Sequence, residues 1–261
     1  MSDTPAPLDT RRLDYYYVLQ SPDLTLAQFQ RIASACLLQL VRDVARYWTP
    51  AEIGTDLTKA TATVVERLDA VPVDTAERRV VMIVLLTDPD VAGDLGYHTV
   101  TPDGRAYARV FTRGEAFPGV ASPVLSWASI ATTTSHEKVE SGADTDVDRT
   151  ITGPDGITRD LEIGDPVEDQ TYEIDEGDGG DPVPVSNFVT PAWFRGGAGP
   201  FDFLANLKAA GELSEAGYIT EEINGQSVQV PAGRKMSAAK LHPAGRTARR
   251  LARKRGAVAS P

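Results

Sequence analysis

Across residues 23–48, apolar side chains recur at three- and four-residue steps: Phe29, Ile32, Cys36, Leu40, Val44 and Tyr47. That period predicts a long helix, capped by Asp23 or Thr25 and ended by Thr49-Pro50. Strand patterns follow. Residues 79–86 form an almost unbroken β-branched and aliphatic run, the signature of a strand buried on both faces. Residues 105–112 follow a Pro102-Asp103-Gly104 turn and set Ala106, Ala108 and Val110 against Tyr107, Arg109 and Phe111. Such alternation predicts a half-buried strand. Residues 56–68 fit helix or strand. Residues 126–143 predict a second helix, with Ser126 as its cap and Trp127, Ile130 and Val139 facing inward.

Beyond residue 143 the pattern breaks up. Residues 144–181 are acidic and Gly-rich, too polar for a core of their own, with 161–168 and 171–174 as the ordered pieces within them. Residues 185–194 are apolar and aromatic and predict a segment that docks back on the body. Residues 200–213 predict a short helix. Residues 218–230, with Asn224-Gly225 between apolar flanks, predict a closing hairpin. The organisation expected is a flexible lead over 1–14, one α+β domain over 15–232 and a flexible tail over 233–261. The long N-terminal helix packs on a sheet, and the acidic C-terminal half is irregular.

Charge divides the chain in the same way. From Ile223 onward there is no Asp or Glu but there are nine basic residues, from Arg234 to Arg255. The 17 Lys and Arg that remain stand against 37 acidic residues, a formal charge of −20 for the body. Such a body repels phosphates, which argues against nucleic acid as its partner, while the tail suits an acidic one. The polar, Pro-containing start carries no apolar core of signal-peptide length, and no apolar run nears the roughly 20 residues that cross a bilayer. Cys36 is the single cysteine, so a disulfide framework is excluded. These features predict a chain made in the cytoplasm, with no membrane partner.

One segment carries candidate chemistry: Ser135-His136-Glu137-Lys138-Val139-Glu140. On a helix, His136 and Glu140 lie one turn apart on one face and can point at a single ion. Glu137 lies about 100° round, where a carboxylate reaches a water rather than the metal. This is the geometry of His-Glu-x-x-His zinc hydrolases, with Glu140 in place of the second histidine. Asp144 extends the ladder by four residues if the helix persists. Asp165 is the best non-local closing ligand. A solvated acidic helix face is the plainer explanation of the same residues. His98, after Gly96-Tyr97, reads as a structural histidine beside a turn, with a donor behind a ligand as the alternative.

Several segments in order carry a resemblance. They are Gln39-Leu40-x-Arg42-Asp43 with Trp48, Gly96-Tyr97-His98, Arg105-Ala106-Tyr107-Ala108-Arg109-Val110-Phe111, Ser135-His136-Glu137-x-x-Glu140, Glu162-x-x-Asp165-Pro166-Val167-Glu168 and Val185-Ser186-Asn187-Phe188-Val189-Thr190-Pro191-Ala192-Trp193-Phe194. Over about residues 20–225 the chain resembles a zincin-like, metalloprotease-related family of bacterial and actinobacterial-phage proteins. The resemblance implies a mixed sheet whose edge strand, here 105–111, lies beside the His136 helix and lines a substrate cleft. It implies zinc held by His136, Glu140 and Asp165, with Glu137 as catalytic base on a polypeptide substrate. The family usually places a proline after its Asp; here Asp144 is followed by Thr145, and Gly142 weakens the helix before it by about 1 kcal/mol. Three functions are therefore expected to compete: a zinc-dependent hydrolase, a bacteriophage virion or assembly protein that keeps the fold without activity among other virion proteins, and a nucleic-acid accessory acting through Arg246 to Arg255.

Overall fold

The computed structural model describes residues 9–90, 94–114, 122–223 and 226–233. Strand β1 (Arg12–Leu19) opens the described chain and is buried on both faces. Helix α1 (Leu26–Leu38) starts at Thr25, whose Oγ1 accepts from the Gln28 N–H while Gln28 Oε1 accepts from the Thr25 N–H. This capping box satisfies two otherwise orphaned donors. The helix continues as a π-helical stretch, Gln39–Val44, before Thr49 and Pro50 start the one-turn α2 (Pro50–Ile53). Strands β2 (Thr61–Val65), β3 (Arg78–Leu86), β4 (Gly96–Val100) and β5 (Ala106–Phe111) follow, and then α3 (Trp127–Ala143).

These strands form one mixed sheet in the order β2-β1-β3-β5-β4, with β4 antiparallel to β5 and the other neighbours parallel. Helices α1 and α3 cover one face and bury Tyr15, Tyr17, Phe29, Ile32, Ile83, Ala108, Ile130 and Val139 together. Val80, Met82, Val84, Tyr97, Tyr107 and Phe111 make a smaller cluster on the other face. The interior of β3 is buried on both faces, as its sequence predicts. The strand at 105–111 is not the sheet edge. Its outer side is paired with β4, five residues containing Tyr, Thr and Val that carry His98 opposite Ala108.

The acidic half is ordered rather than irregular. Strands β6 (Thr150–Thr152) and β7 (Thr158–Asp160) join β10 (Tyr218–Ile223) and β11 (Gln226–Pro231) in a second sheet, order β11-β10-β7-β6. Strands β8 (Thr171–Ile174) and β9 (Val183–Ser186) pair as a hairpin, followed by α4 (Pro191–Arg195). What holds this half is a sparse set of apolar residues, Val147, Leu161, Ile163, Val167 and Ile174, all buried in the main core. Average polarity conceals such anchors.

Two other expectations change. A strand begins at Arg12, so a flexible lead does not extend through residue 14. Residues 200–213 form turns, not a helix: Ala205 takes φ 57°, and the Asp202 carboxylate accepts from the Leu207 N–H at 2.7 Å. Asn224 and Gly225, where a turn is expected, and the basic tail expected beyond Gly233 lie outside the described residues. Among the described residues no helix is long and apolar enough to cross a membrane.

Candidate metal centre

Helix α3 starts where the sequence places it, with Ser126 Oγ accepting from the Ser129 N–H at 3.1 Å. From Thr134 to Ala143 every residue is buried, charged ones included. Hydrogen bonds fix its rotation about the axis. Ser135 Oγ donates to Gln39 Oε1 at 2.8 Å and accepts from the Ser186 N–H at 2.9 Å, and Gln39 Nε2 donates to the Ser186 carbonyl at 2.7 Å. Gln39 belongs to the π-helical stretch, so the irregularity in the first helix bolts α3 to β9.

With α3 so held, His136, Glu137 and Glu140 meet residues from two other segments. Strand β4 contributes His98. The segment after β7 contributes Glu162, Asp165 and Glu168; it is anchored by the Val189 N–H on the Ile163 carbonyl at 2.8 Å and the Ser214 N–H on the Pro166 carbonyl at 2.9 Å. Gly164 lets that segment close over the helix. A Cβ there would lie 2.7 Å from His136 Nδ1 and 3.2 Å from Glu140 Oε1. Three overlapping sets result, each with one ligand atom per residue within 4.8 Å of the others: His98, Glu140 and Glu162; His136, Glu137 and Glu140; His136, Asp165 and Glu168.

The distances converge on points rather than on pairs. His136 Nε2 lies 3.1 Å from Glu140 Oε1 and 3.2 Å from Asp165 Oδ1, while its Nδ1 faces Glu168 Oε2 at 3.4 Å. His98 Nδ1 faces Glu140 Oε2 at 3.3 Å and Glu137 Oε2 at 3.4 Å, and its Nε2 faces Glu162 Oε2 at 3.5 Å. Both histidines are nearly inaccessible, at 3 % and 4 % exposure, yet neither Nε2 makes a hydrogen bond among the described residues. Each instead faces carboxylate oxygens, Glu162 for His98 and Glu140 and Asp165 for His136, and an ion at the point where these atoms converge would bond to all of them.

Charge points the same way. Five carboxylates surround two imidazoles in a site where only Glu168 is exposed. Burial alone pushes both imidazoles down, but the carboxylates outweigh it. Glu162, Glu137 and Glu140 hold His98 well above the usual histidine range, and Glu140, Glu168 and Asp165 do the same for His136. Without a cation, then, the site takes up protons; a divalent ion takes their place and releases them. Buried His/Glu clusters able to bind a metal are therefore present.

Of the ligands expected from sequence, His136, Glu140 and Asp165 are brought together, and Glu137 lies beside them. Asp144 is not. Helix α3 stops at Ala143, and Asp144 leaves the helical region at φ −134°, ψ 73°. Its carboxylate accepts from the Asp148 and Arg149 N–H groups at 3.1 and 3.0 Å and lines a separate 480 Å³ cavity with Asp146 and Arg79. His98, Glu162 and Glu168 were not expected as ligands. The spacing of Glu162 and Asp165 was visible, but nothing local in the sequence joins His98 to them. No protein-family model, curated protein or solved structure matches the chain.

Proposed function

We propose that this protein is a metal-dependent hydrolase of the zincin-like peptidase type, holding a divalent ion, zinc in the first instance, at His136, Glu140 and Asp165. The observation that carries the proposal is His136 Nε2: buried, without a hydrogen bond among the described residues, and 3.1 and 3.2 Å from one oxygen of each carboxylate. One imidazole and two carboxylates form a set that zinc accepts. The ion, when bound, supplies Lewis acidity toward a scissile carbonyl. Glu168 faces the other ring nitrogen of His136 and fixes its tautomer. Glu137, within 4.8 Å of both His136 and Glu140, is the group placed to take a proton from the attacking water. Edge strand β4 is where an extended polypeptide would add by main-chain pairing.

A second reading rests on burial. Glu140 and Asp165 are 0 % and 1 % exposed, and closed sites are structural where catalytic ones keep a position open. On this reading the ion staples a virion or assembly protein and hydrolyses nothing. Elemental analysis and a fluorogenic peptide assay separate the two. For the hydrolase, wild type and Glu137→Gln both retain the ion, His136→Ala and Glu140→Gln lose it, and Glu137→Gln abolishes cleavage. An ion with no cleavage in wild type favours the staple. No ion in protein prepared without chelator removes both.

A further inference from the structure

The geometry points to a second cation site next to the first, formed by His98, Glu162 and the other oxygen of Glu140, so that Glu140 bridges two ions. This inference rests on the ion placed above at His136, Glu140 and Asp165, and extends it to a two-ion centre.

The two histidines are alike in having carboxylates on both ring nitrogens and Glu140 in common. His136 turns Nε2 toward Glu140 Oε1 and Asp165 and leaves Nδ1 to Glu168. His98 turns Nε2 toward Glu162 and leaves Nδ1 to Glu137 and to Glu140 Oε2. In each case Nε2 is buried without a hydrogen bond among the described residues and Nδ1 faces a carboxylate that can orient the ring. Glu140 lies on the Nε2 side of His136 but on the Nδ1 side of His98. It joins the second set because one ligand atom each of His98, Glu140 and Glu162 lie within 4.8 Å of one another. A metal-ligating histidine has this pattern: an outer carboxylate holds one ring nitrogen and the ion takes the other. Glu140 connects the halves, since its Oε1 faces His136 and its Oε2 faces His98. A carboxylate whose two oxygens address two donor sets is the bridging ligand of paired ions, which sit about 3.5–4 Å apart.

Charge balance favours more than one ion. Five carboxylates with neutral imidazoles leave about −3 after one divalent cation and about −1 after two, and a site this buried does not hold the larger figure unaided. Imidazole with carboxylates is a donor set that manganese and zinc both take.

The test uses the full chain, stripped with chelator and reloaded with Mn(II), with stoichiometry from elemental analysis and ion–ion coupling from electron paramagnetic resonance. Wild type is expected to hold two ions per chain with an exchange-coupled signal. His98→Ala should hold one, with an uncoupled signal, and Glu162→Gln, which preserves side-chain size and so guards against misfolding, should do the same. His136→Ala should lose the ion of the first site and retain one, at His98 and Glu162. A single ion lost in His136→Ala but indifferent to both His98→Ala and Glu162→Gln overturns the second site, leaves the first standing and makes His98 an ion-pair partner. A single ion that depends on His98 and not on His136 overturns the bridged pair and the site proposed above together. No bound ion has the same effect.

Discussion

Strand β3 and helix α3 are both deep in the molecule, and they are buried by opposite chemistry. The interior of β3 reads Arg-Val-Val-Met-Ile-Val-Leu, almost wholly apolar, and sits in the middle of the mixed sheet between two parallel neighbours. The buried part of α3 contains His136, Glu137, Lys138 and Glu140. Burying apolar side chains is favourable without any particular partner. Burying charge is unfavourable unless each group is met by another. The sheet centre is therefore stable on its own terms, whereas α3 depends on what the rest of the chain, and any cation the site holds, brings to it.

Removing the cation should show the largest difference. Chelation is expected to destabilise the protein by about 4 kcal/mol, the linkage expected when an ion is present at a thousand times its dissociation constant. Re-adding zinc or manganese should restore the thermal midpoint. Amide exchange should rise along α3 and residues 161–168 well before β3. Equal exposure of β3 and α3 would erase the contrast. A cavity in β3 should act without regard to metal. Ile83→Ala is expected to cost about 3 kcal/mol, the usual figure for a fully buried aliphatic truncation, with the same loss in chelator and in zinc. A loss that differed between the two conditions would mean that the sheet centre and the metal centre are energetically coupled.

Lys138 gives a smaller effect with a characteristic pH signature. Its ammonium is fully buried, 4.6 Å from the Tyr15 ring centre and 5.3 Å from that of Tyr17. It leaves the helix roughly 200° round from His136, away from the acids. Burial lowers its pKa from 10.5 to about 7, with Cys36 pulling weakly the other way. The unfolded chain therefore binds the proton more tightly between pH 7 and 10.5, so stability rises with pH across that window. Ring contacts offset part of the cost of the charge. Lys138→Met should then stabilise several times more at about pH 7 than at about pH 10, the gain shrinking as the lysine gives up its proton in the unfolded chain too. Denaturant melts at both pH values check this. A gain that did not shrink with pH would mean that packing, not desolvation, separates the two side chains.

How much of this was readable in the sequence follows from the same contrast. Strand β3, the Ser126 and Thr25 caps and the one-face placement of His136 and Glu140 are local properties of spacing and residue type, and they were legible. The start of strand β1 looks like a flexible lead because Arg12 and Asp14 are polar, although Asp14 is buried against Arg12 and Thr61. Strand β4 was too short to stand out, and the ordered acidic half hides its few anchors among Asp and Gly. At the site, Asp165 is legible as a non-local ligand beside Glu162 and is supported by the resemblance, whereas Asp144 is favoured by a helical ladder that ends one residue too early. His98 and Glu162 come together only through the pairing of β4 with β5 and the closure at Gly164, which no short-range pattern encodes.

The centre draws on three separated stretches of chain: residue 98, residues 136–140 and residues 162–168. The set at His136, Glu140 and Asp165 forms only once the segment around Gly164 has closed on α3, and the set at His98, Glu140 and Glu162 needs β4 in the sheet as well. The loop-closure entropy of those long intervals must be met before any cation can offset it. A bound ion therefore acts on the way out of the native state rather than on the way in. It should leave the refolding rate nearly as it is and slow the unfolding rate, making this metal a brake on loss of structure and not a nucleus for gaining it.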